Sequence, residues 1–206
     1  MCNDGVHRAI GRLMSRVRQS GGVRAEETTI PGCLRVFPPL FLDDRGVFTK
    51  VFSSDVEAAT GTTFAVREIF WSSSPLGVVR GLHFQLPPRT VRKIVWVTEG
   101  EIRDVVLDLR VDSPTFRQHE VFLLDPNAGS LLIPQGCAHG FEVVSVAATV
   151  GYAQDGSFDP ACDAGIRWDT AGITWLTADP VVSTRDSELC AMTDFDAPFR
   201  LPEVLR

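Results

Sequence analysis

Basic charge is scarce in this chain of 206 residues, and it is almost all arginine. There are only two lysines, Lys50 and Lys93, and a single tyrosine, Tyr152. With 26 acidic residues against 20 basic ones the formal net charge is −6. That balance argues against nucleic acid as a partner, because phosphate backbones recruit basic surfaces. No stretch approaches the about 20 consecutive apolar residues of a membrane helix, so no membrane association is expected. The N-terminus has no apolar h-region of a secretory signal. The five cysteines, Cys2, Cys33, Cys137, Cys162 and Cys190, are odd in number and include no C-x-x-C pair. A disulfide framework and a zinc knuckle are therefore not expected, and a cytoplasmic location fits best. What is present is an ordinary globular composition, 44% hydrophobic and 22% charged, enough for one domain with a sizeable core plus an extension.

The extension is residues 1–27. Up to residue 24 it holds Arg8, Arg12, Arg16, Arg18 and Arg24 against one acid, Asp4. Ile10, Leu13, Met14 and Val17 fall at i, i+3, i+4, i+7, so a short amphipathic helix is expected, ended by Ser20-Gly21-Gly22. Its bland reading, a segment docked on a subunit or left untied, is the preferred one. From residue 28 to 200 the texture is β. Short Val-, Ile-, Phe- and Leu-rich runs bounded by Gly, Pro, Asp or Ser recur at 33–38, 46–52, 64–73, 77–84, 91–98, 101–108, 118–124, 130–133, 139–145, 147–153 and 165–168. Many short, closely spaced strands read as an all-β sandwich or barrel. Inside it, 54–59 reads as a helix with Ser54 as N-cap and Gly61 as stop. A second short helix is expected at 184–192.

Of the four histidines, His7 lies in the extension, and His119 reads as a solvent-facing strand residue beside Gln118 and Glu120. His83 lies in Gly77-Val78-Val79-Arg80-Gly81-Leu82-His83-Phe84-Gln85. Alternation puts Val79, Gly81, His83 and Gln85 on one face and Arg80, Leu82 and Phe84 on the other. Gly81 would leave room for a ligand beside His83. His139 follows a Pro134-x-Gly136 turn, which resembles the second motif of cupin barrels. The position of the first metal-binding motif reads His83-Phe84-Gln85, not His-x-His. Two histidines without further close ligands make a poor divalent site, so no metal is expected.

Taken together, the ordered motifs identify a family. They are Asp43-Asp44-Arg45-Gly46, Arg80-Gly81-Leu82-His83-Phe84-Gln85, Lys93-Ile94-Val95, Gly100-Glu101-Ile102, Asp104 to Arg110, Ser113-Pro114-Thr115-Phe116, Ile133 to Gly136, Ala138-His139-Gly140-Phe141 and Gly165 to Asp169. Over residues 30–193 the chain resembles the dTDP-4-dehydrorhamnose 3,5-epimerase family. The resemblance implies a cupin-like jelly-roll barrel with short flanking helices, a homodimer, no cofactor, and a nucleotide-diphosphate 4-keto-6-deoxyhexose as substrate.

A C4 ketone acidifies the protons on C3 and C5. Epimerisation removes one, passes through an enolate and returns a proton to the opposite face, so it needs a base, an acid across the ring and a donor for the enolate oxygen. By resemblance the base is His83, oriented by Asp186, with Tyr152 as the acid and Lys93 beside the keto group. Arg45 and Arg80 match arginines that hold the diphosphate, and His139 and Gln85 border the sugar. Three departures bear on the substrate. Lys50 stands where the family usually has an acid. Glu68 and Phe70 replace a Gln-x-Asn pair, which leaves CDP- and GDP-linked sugars open beside dTDP. Phe158 replaces a second Tyr or Trp, which suggests inversion at one carbon only. The rival readings are a 3,4-ketoisomerase on the same barrel and a non-catalytic sugar-nucleotide binder.

Overall fold

The computed structural model describes residues 21–203. The amphipathic segment expected at residues 10–17, Cys2 and His7 lie outside the described residues. Thirteen strands and two short helices follow in order: β1 (Arg24–Glu27), β2 (Leu34–Phe37), β3 (Leu40–Asp43), β4 (Gly46–Thr49), α1 (Ser54–Thr60), β5 (Glu68–Pro75), β6 (Val79–Gln85), β7 (Lys93–Glu99), β8 (Ile102–Asp108), β9 (His119–Leu124), β10 (Ser130–Ile133), β11 (Cys137–Val143), β12 (Ala147–Gln154), β13 (Asp163–Gly165) and α2 (Thr184–Ser187). They form a six-stranded sheet ordered β1-β2-β10-β7-β12-β5, a five-stranded sheet ordered β13-β6-β11-β8-β9, and the hairpin β3-β4. Among the described residues no helix is long and apolar enough to cross a membrane.

Period-two alternation explains how one strand serves two layers. On β7, Val95 and Val97 point into the core between the sheets, where they meet Val106, Phe122, Phe141 and Val143 of the opposite sheet. Ile94 and Trp96 point outward into a second cluster with Val56 of α1 and Phe64. On β8, Val105 and Leu107 turn outward to pack with Leu82, Phe84, Ile166, Met192 and Phe199. Both sheets are thus covered on their outer faces, which is why β7 and β8 read as nearly continuous apolar runs.

Several local expectations are revised. The N-cap of α1 is Ser53, not Ser54, and its side chain makes no capping bond. Gly61 does end the helix, in the left-handed conformation at φ 63°. The tail helix is one turn, Thr184–Ser187, not 184–192, and the Ser183 hydroxyl accepts from the Asp186 amide at its start. The expected strand at 46–52 ends at Thr49 and pairs with β3, which the alternation of Leu40-Phe41-Leu42 did not single out. Arg24–Glu27 pairs with β2 and so joins the six-stranded sheet. His119 is half-buried on the edge strand β9, and burial lowers its pKa.

Two of the quoted motifs turn out to share one structural knot. Arg110 and Asp108 are fully buried, joined through Nε–Oδ1 and Nη2–Oδ2 contacts of 2.8 Å each. The Ser113 and Thr115 hydroxyls donate to Asp108 Oδ2 at 2.6 and 2.8 Å. Burial raises the carboxyl's pKa, but these bonds outweigh it and hold Asp108 below the usual carboxylate range. Gly136 sits at φ +81°, and a Cβ there would meet Arg110 Cγ at 2.7 Å. Asp108→Ala would leave a buried guanidinium uncompensated, at a cost of about 3–5 kcal/mol. The expected result is a clearly lowered urea midpoint; an unchanged midpoint would show that the knot contributes nothing to stability.

Candidate active site

A cavity of about 550 Å³ opens between the sheets. His83 and Arg80 reach it from β6, His139 from β11, Lys93 from β7, and Tyr152 from β12. The five-stranded sheet therefore supplies both histidines, and the six-stranded sheet supplies the lysine and the phenol across from them.

Simple alternation fails at Arg80. Along β6 and β11 the register passes from His83↔His139 to Arg80↔Phe141, three residues on one strand against two on the other. This bulge turns Arg80 into the same cavity as His83. The bulge is built on Gly81, at φ +123°, where a Cβ would lie 2.6 Å from Gly140 Cα. Gly81 is thus required by the neighbouring strand and not by a ligand, as its sequence context had suggested. Arg80 Nε donates to the Ser74 hydroxyl at 2.9 Å.

The predicted partner of His83 is in place. His83 Nε2 lies 2.7 Å from Asp186 Oδ1, and the Gly81 amide donates to Asp186 Oδ2 at 3.0 Å. Asp186 is buried. Burial opposes its ionisation, but the His83 bond and charge, the Gly81 amide and the Arg185 charge bring its pKa below the ordinary value. His83 is held below its ordinary value of 6.5, chiefly by burial. Asp186 pushes the other way, and the charges of Arg185 and Lys93 add to the depression. The gain in basicity from Asp186 is therefore real but smaller than the loss from burial. Near neutral pH the ring is neutral and able to accept a proton.

Lys93 Nζ donates to the His83 carbonyl oxygen at 3.2 Å. Burial pulls its pKa down to about 8, against the opposing charges of Asp163 and Asp104. Burial raises the Tyr152 phenol above its usual 10, so it keeps its proton. The Phe70 ring stacks on Tyr152 at 4.8 Å with 14° between planes. His139 meets Tyr152 edge-on at 5.9 Å. A second imidazole–carboxylate pair, His139 Nε2 to Asp104 Oδ2 at 2.7 Å, lies fully buried beside the first.

The remaining expected site residues fall in three groups. Gln85 lines the cavity but is committed to the chain: it donates to Arg89 O and Ser157 O and accepts from the Asp159 amide at 2.6 Å. Glu68 accepts from the Phe158 amide at 2.9 Å. These bonds bracket Phe158, which stands on the cavity rim. Arg45 and Lys50 do not line the cavity. Arg45 sits at the β3–β4 turn, exposed and bound to Asp43, and Lys50 is exposed just past β4. Among the described residues no three His, Cys, Asp or Glu side chains cluster as metal ligands.

Sequence reasoning missed Asp104, Asp163 and Arg185. Asp104 had one available signal, a charge on the inward face between Ile102 and Val106. Arg185 and Asp163 had none, because their partners are remote in sequence: Arg185 Nη2 donates to Asp163 Oδ2 at 2.6 Å, and Nη1 lies 3.0 Å from His83 Nε2.

Comparison with known proteins identifies the family. A family model described as dTDP-4-dehydrorhamnose 3,5-epimerase matches residues 27–194. The 3,5-epimerase of Shigella flexneri is 37% identical over 164 residues, spanning 78% of this chain and 91% of its own. The dTDP-4-dehydrorhamnose 3-epimerase of Streptomyces niveus is 34% identical over 176 residues, 84% of this chain and 85% of its own. Among solved structures, the Bacillus anthracis 3,5-epimerase with TDP and PPi bound superposes with a TM-score of 0.80 at 34% identity, covering 83% of this chain and 100% of that one. The Legionella pneumophila enzyme in complex with dTDP-4-keto-L-rhamnose gives a TM-score of 0.82 at 30% identity, covering 87% and 99%. This chain therefore belongs to the dTDP-4-dehydrorhamnose 3,5-epimerase family, isomerases of nucleotide-linked 4-keto-6-deoxysugars in deoxysugar biosynthesis.

Proposed function

We propose that the chain inverts C3, C5 or both of a dTDP-linked 4-keto-6-deoxyhexose, with His83 as base, Lys93 as enolate donor and Tyr152 as acid. The observation that carries this reading is the facing of the His83–Asp186 pair and Tyr152 from opposite sheets across one cavity. With Nε2 donating to Asp186, Nδ1 of His83 takes the C3 or C5 proton. The C–H electron pair moves into the ring bond, and the C4 carbonyl becomes an enolate stabilised by the Lys93 ammonium. As the carbonyl re-forms, Tyr152 donates its proton from the other face, giving the inverted centre. Arg80 is the arginine placed to meet the diphosphate, and His139 the one to border the sugar, steered by Asp104. The thymidine nucleotide is favoured because related structures were solved with TDP and with a dTDP-ketosugar.

A homodimer is part of the same reading. The β3–β4 hairpin exposes Phe41 and Phe48, and the edge strand β5 exposes Ile69 and Trp71, apolar surface of the kind that partners cover. Arg45 and Lys50 belong to that hairpin region, so a substrate-binding role for them requires the hairpin of a second copy at the cavity mouth. Light scattering of the purified chain should return twice the monomer mass; a monomer at assay concentration would remove Arg45 and Lys50 from the site. A cytoplasmic location accords with the four described cysteines, all of them free.

Two further measurements test the mechanism. In deuterated buffer with dTDP-4-keto-6-deoxyglucose, the C3 and C5 proton signals should disappear with the wild type. His83→Ala and Tyr152→Phe should each slow turnover by about 10²- to 10⁴-fold. Full exchange by His83→Ala would overturn the assignment of the base. The pH profile should be bell-shaped. The acid limb lies below 6.5, where His83 becomes protonated and can no longer accept. The alkaline limb lies at about 8, where Lys93 loses its charge. A rate that is flat from pH 5 through pH 9 would remove both groups from the chemistry.

A further inference from the structure

Alternation along β5 sets Phe70, Ser72 and Ser74 on one face of the strand. Phe70 stacks on the Tyr152 ring, with 4.8 Å between centroids. Ser74 accepts from Arg80 Nε at 2.9 Å. Ser72 lies between these two and lines the cavity. It pairs with Val150 on β12, two residues along from the Phe70↔Tyr152 pair, so it shares a face with the phenol. Its neighbours on β5 are thus committed and Ser72 is not: its hydroxyl oxygen is buried and completes no hydrogen bond. Buried hydroxyls are as a rule paired, so one left short calls for a reason.

The group that Ser72 can serve is the Tyr152 oxygen. Burial and the Asp104 charge both oppose ionisation of the phenol. The Ser72 hydroxyl favours it, ahead of the Arg80 charge. Ser72 therefore stands within reach of the phenol, short of full hydrogen-bond geometry. Among the other groups around the ring, Phe70 carries no donor, His139 Nε2 is held by Asp104, and Arg80 Nε is held by Ser74. While Tyr152 keeps its proton, Ser72 adds little. Once that proton is given to carbon, a phenolate is left in a buried site, and it accepts from Ser72. Bonds to an ionised acceptor are shorter and stronger than neutral ones. A donor that bonds fully only after the transfer lowers the barrier without tightening the ground state.

We propose that Ser72 is a positioning residue that acts through Tyr152, its hydroxyl donating to the phenol oxygen as that oxygen gives its proton to the enolate carbon. The phenol O–H bond breaks and its electron pair stays on oxygen. The proton forms the new C–H bond at C3 or C5 as the C4 carbonyl re-forms. Ser72 keeps its own proton throughout and supplies only the hydrogen bond. The step it assists is inversion, the return of a proton to the opposite face, and not the earlier removal by His83. The inference rests on Tyr152 being the acid.

The test follows two rates in the full chain with dTDP-4-keto-6-deoxyglucose in deuterated buffer: loss of the C3 and C5 proton signals, and build-up of the inverted ketosugar. Ser72→Ala should slow inversion about ten- to a hundredfold, the range expected for loss of a charged hydrogen bond. Proton loss should stay within a few-fold of wild type, because His83 still removes the proton and returns deuterium to the same face. Ser72→Thr keeps a hydroxyl on the strand and should restore inversion. The thermal midpoint of Ser72→Ala should equal or exceed that of the wild type, since the hydroxyl removed completes no bond in the folded chain. Inversion at the wild-type rate, proton loss and inversion falling together, or a lowered midpoint would each overturn the proposal. Tyr152→Phe separates the two ideas. If that variant fails to invert while Ser72→Ala inverts normally, the phenol remains the acid and only the role of Ser72 falls. If Tyr152→Phe still inverts, the acid is misassigned and the role of Ser72 falls with it.

Discussion

Gly81 and Gly140 meet where β6 lies against β11, with no room between them for a Cβ on either side. The extra residue that β6 carries there sends Arg80 into the cavity alongside His83 instead of onto the opposite face. The same turn of backbone aims the Gly81 amide at Asp186, whose other oxygen holds the His83 ring. One bulge thus fixes Arg80, His83 and the carboxylate that orients the imidazole. Bulges commonly re-aim side chains beside active sites, and here the re-aiming requires glycine on both strands.

Burial then sets the charge states. It favours neutral imidazole at His83 and lowers Lys93 to about 8, both in the direction of losing a proton. Lys93 starts from 10.5, so it remains charged at a pH where His83 is already neutral. The separation between a neutral imidazole and a charged ammonium comes from their different starting values and not from different environments. The phenol of Tyr152 moves up under the same burial and so retains its proton.

The legible part of the site is the part carried by regular strands. Alternation placed His83 on the face opposite Leu82 and Phe84, the family resemblance assigned Lys93 and Tyr152, and the two sheets bring all three to one cavity. Alternation could not foresee that Arg80 joins them, because a bulge is set by the close approach of two strands remote in sequence. Asp186 lies in a polar tail whose one-turn helix has no apolar periodicity, so only the family resemblance identified it. Arg185 and Asp163 were invisible, since each acquires meaning only from the other and from His83. The β3–β4 hairpin was half seen because its exposed phenylalanines follow no inside–outside pattern within a single chain.

Asp108 and Asp186 are both buried carboxylates held below the ordinary range, yet they do different work because of where their partners lie. Asp108 is bonded to Arg110, Ser113 and Thr115, all within seven residues, so it ties a local turn. Asp186 is bonded to Gly81 and His83, more than a hundred residues away, so it ties the C-terminal segment to β6. That segment is held from outside the site: Ile166 bridges to Cys190, Arg110 bridges to Phe199, and Met192 and Phe199 pack on the outer face of the five-stranded sheet. Burying a side chain such as Phe199 contributes about 1.5–3 kcal/mol, comparable to the strength of the charged bond it helps position. The orientation of His83 therefore depends on apolar packing on the far side of the sheet. Loss of that packing acts on His83 through Asp186, without any change among the residues that line the cavity.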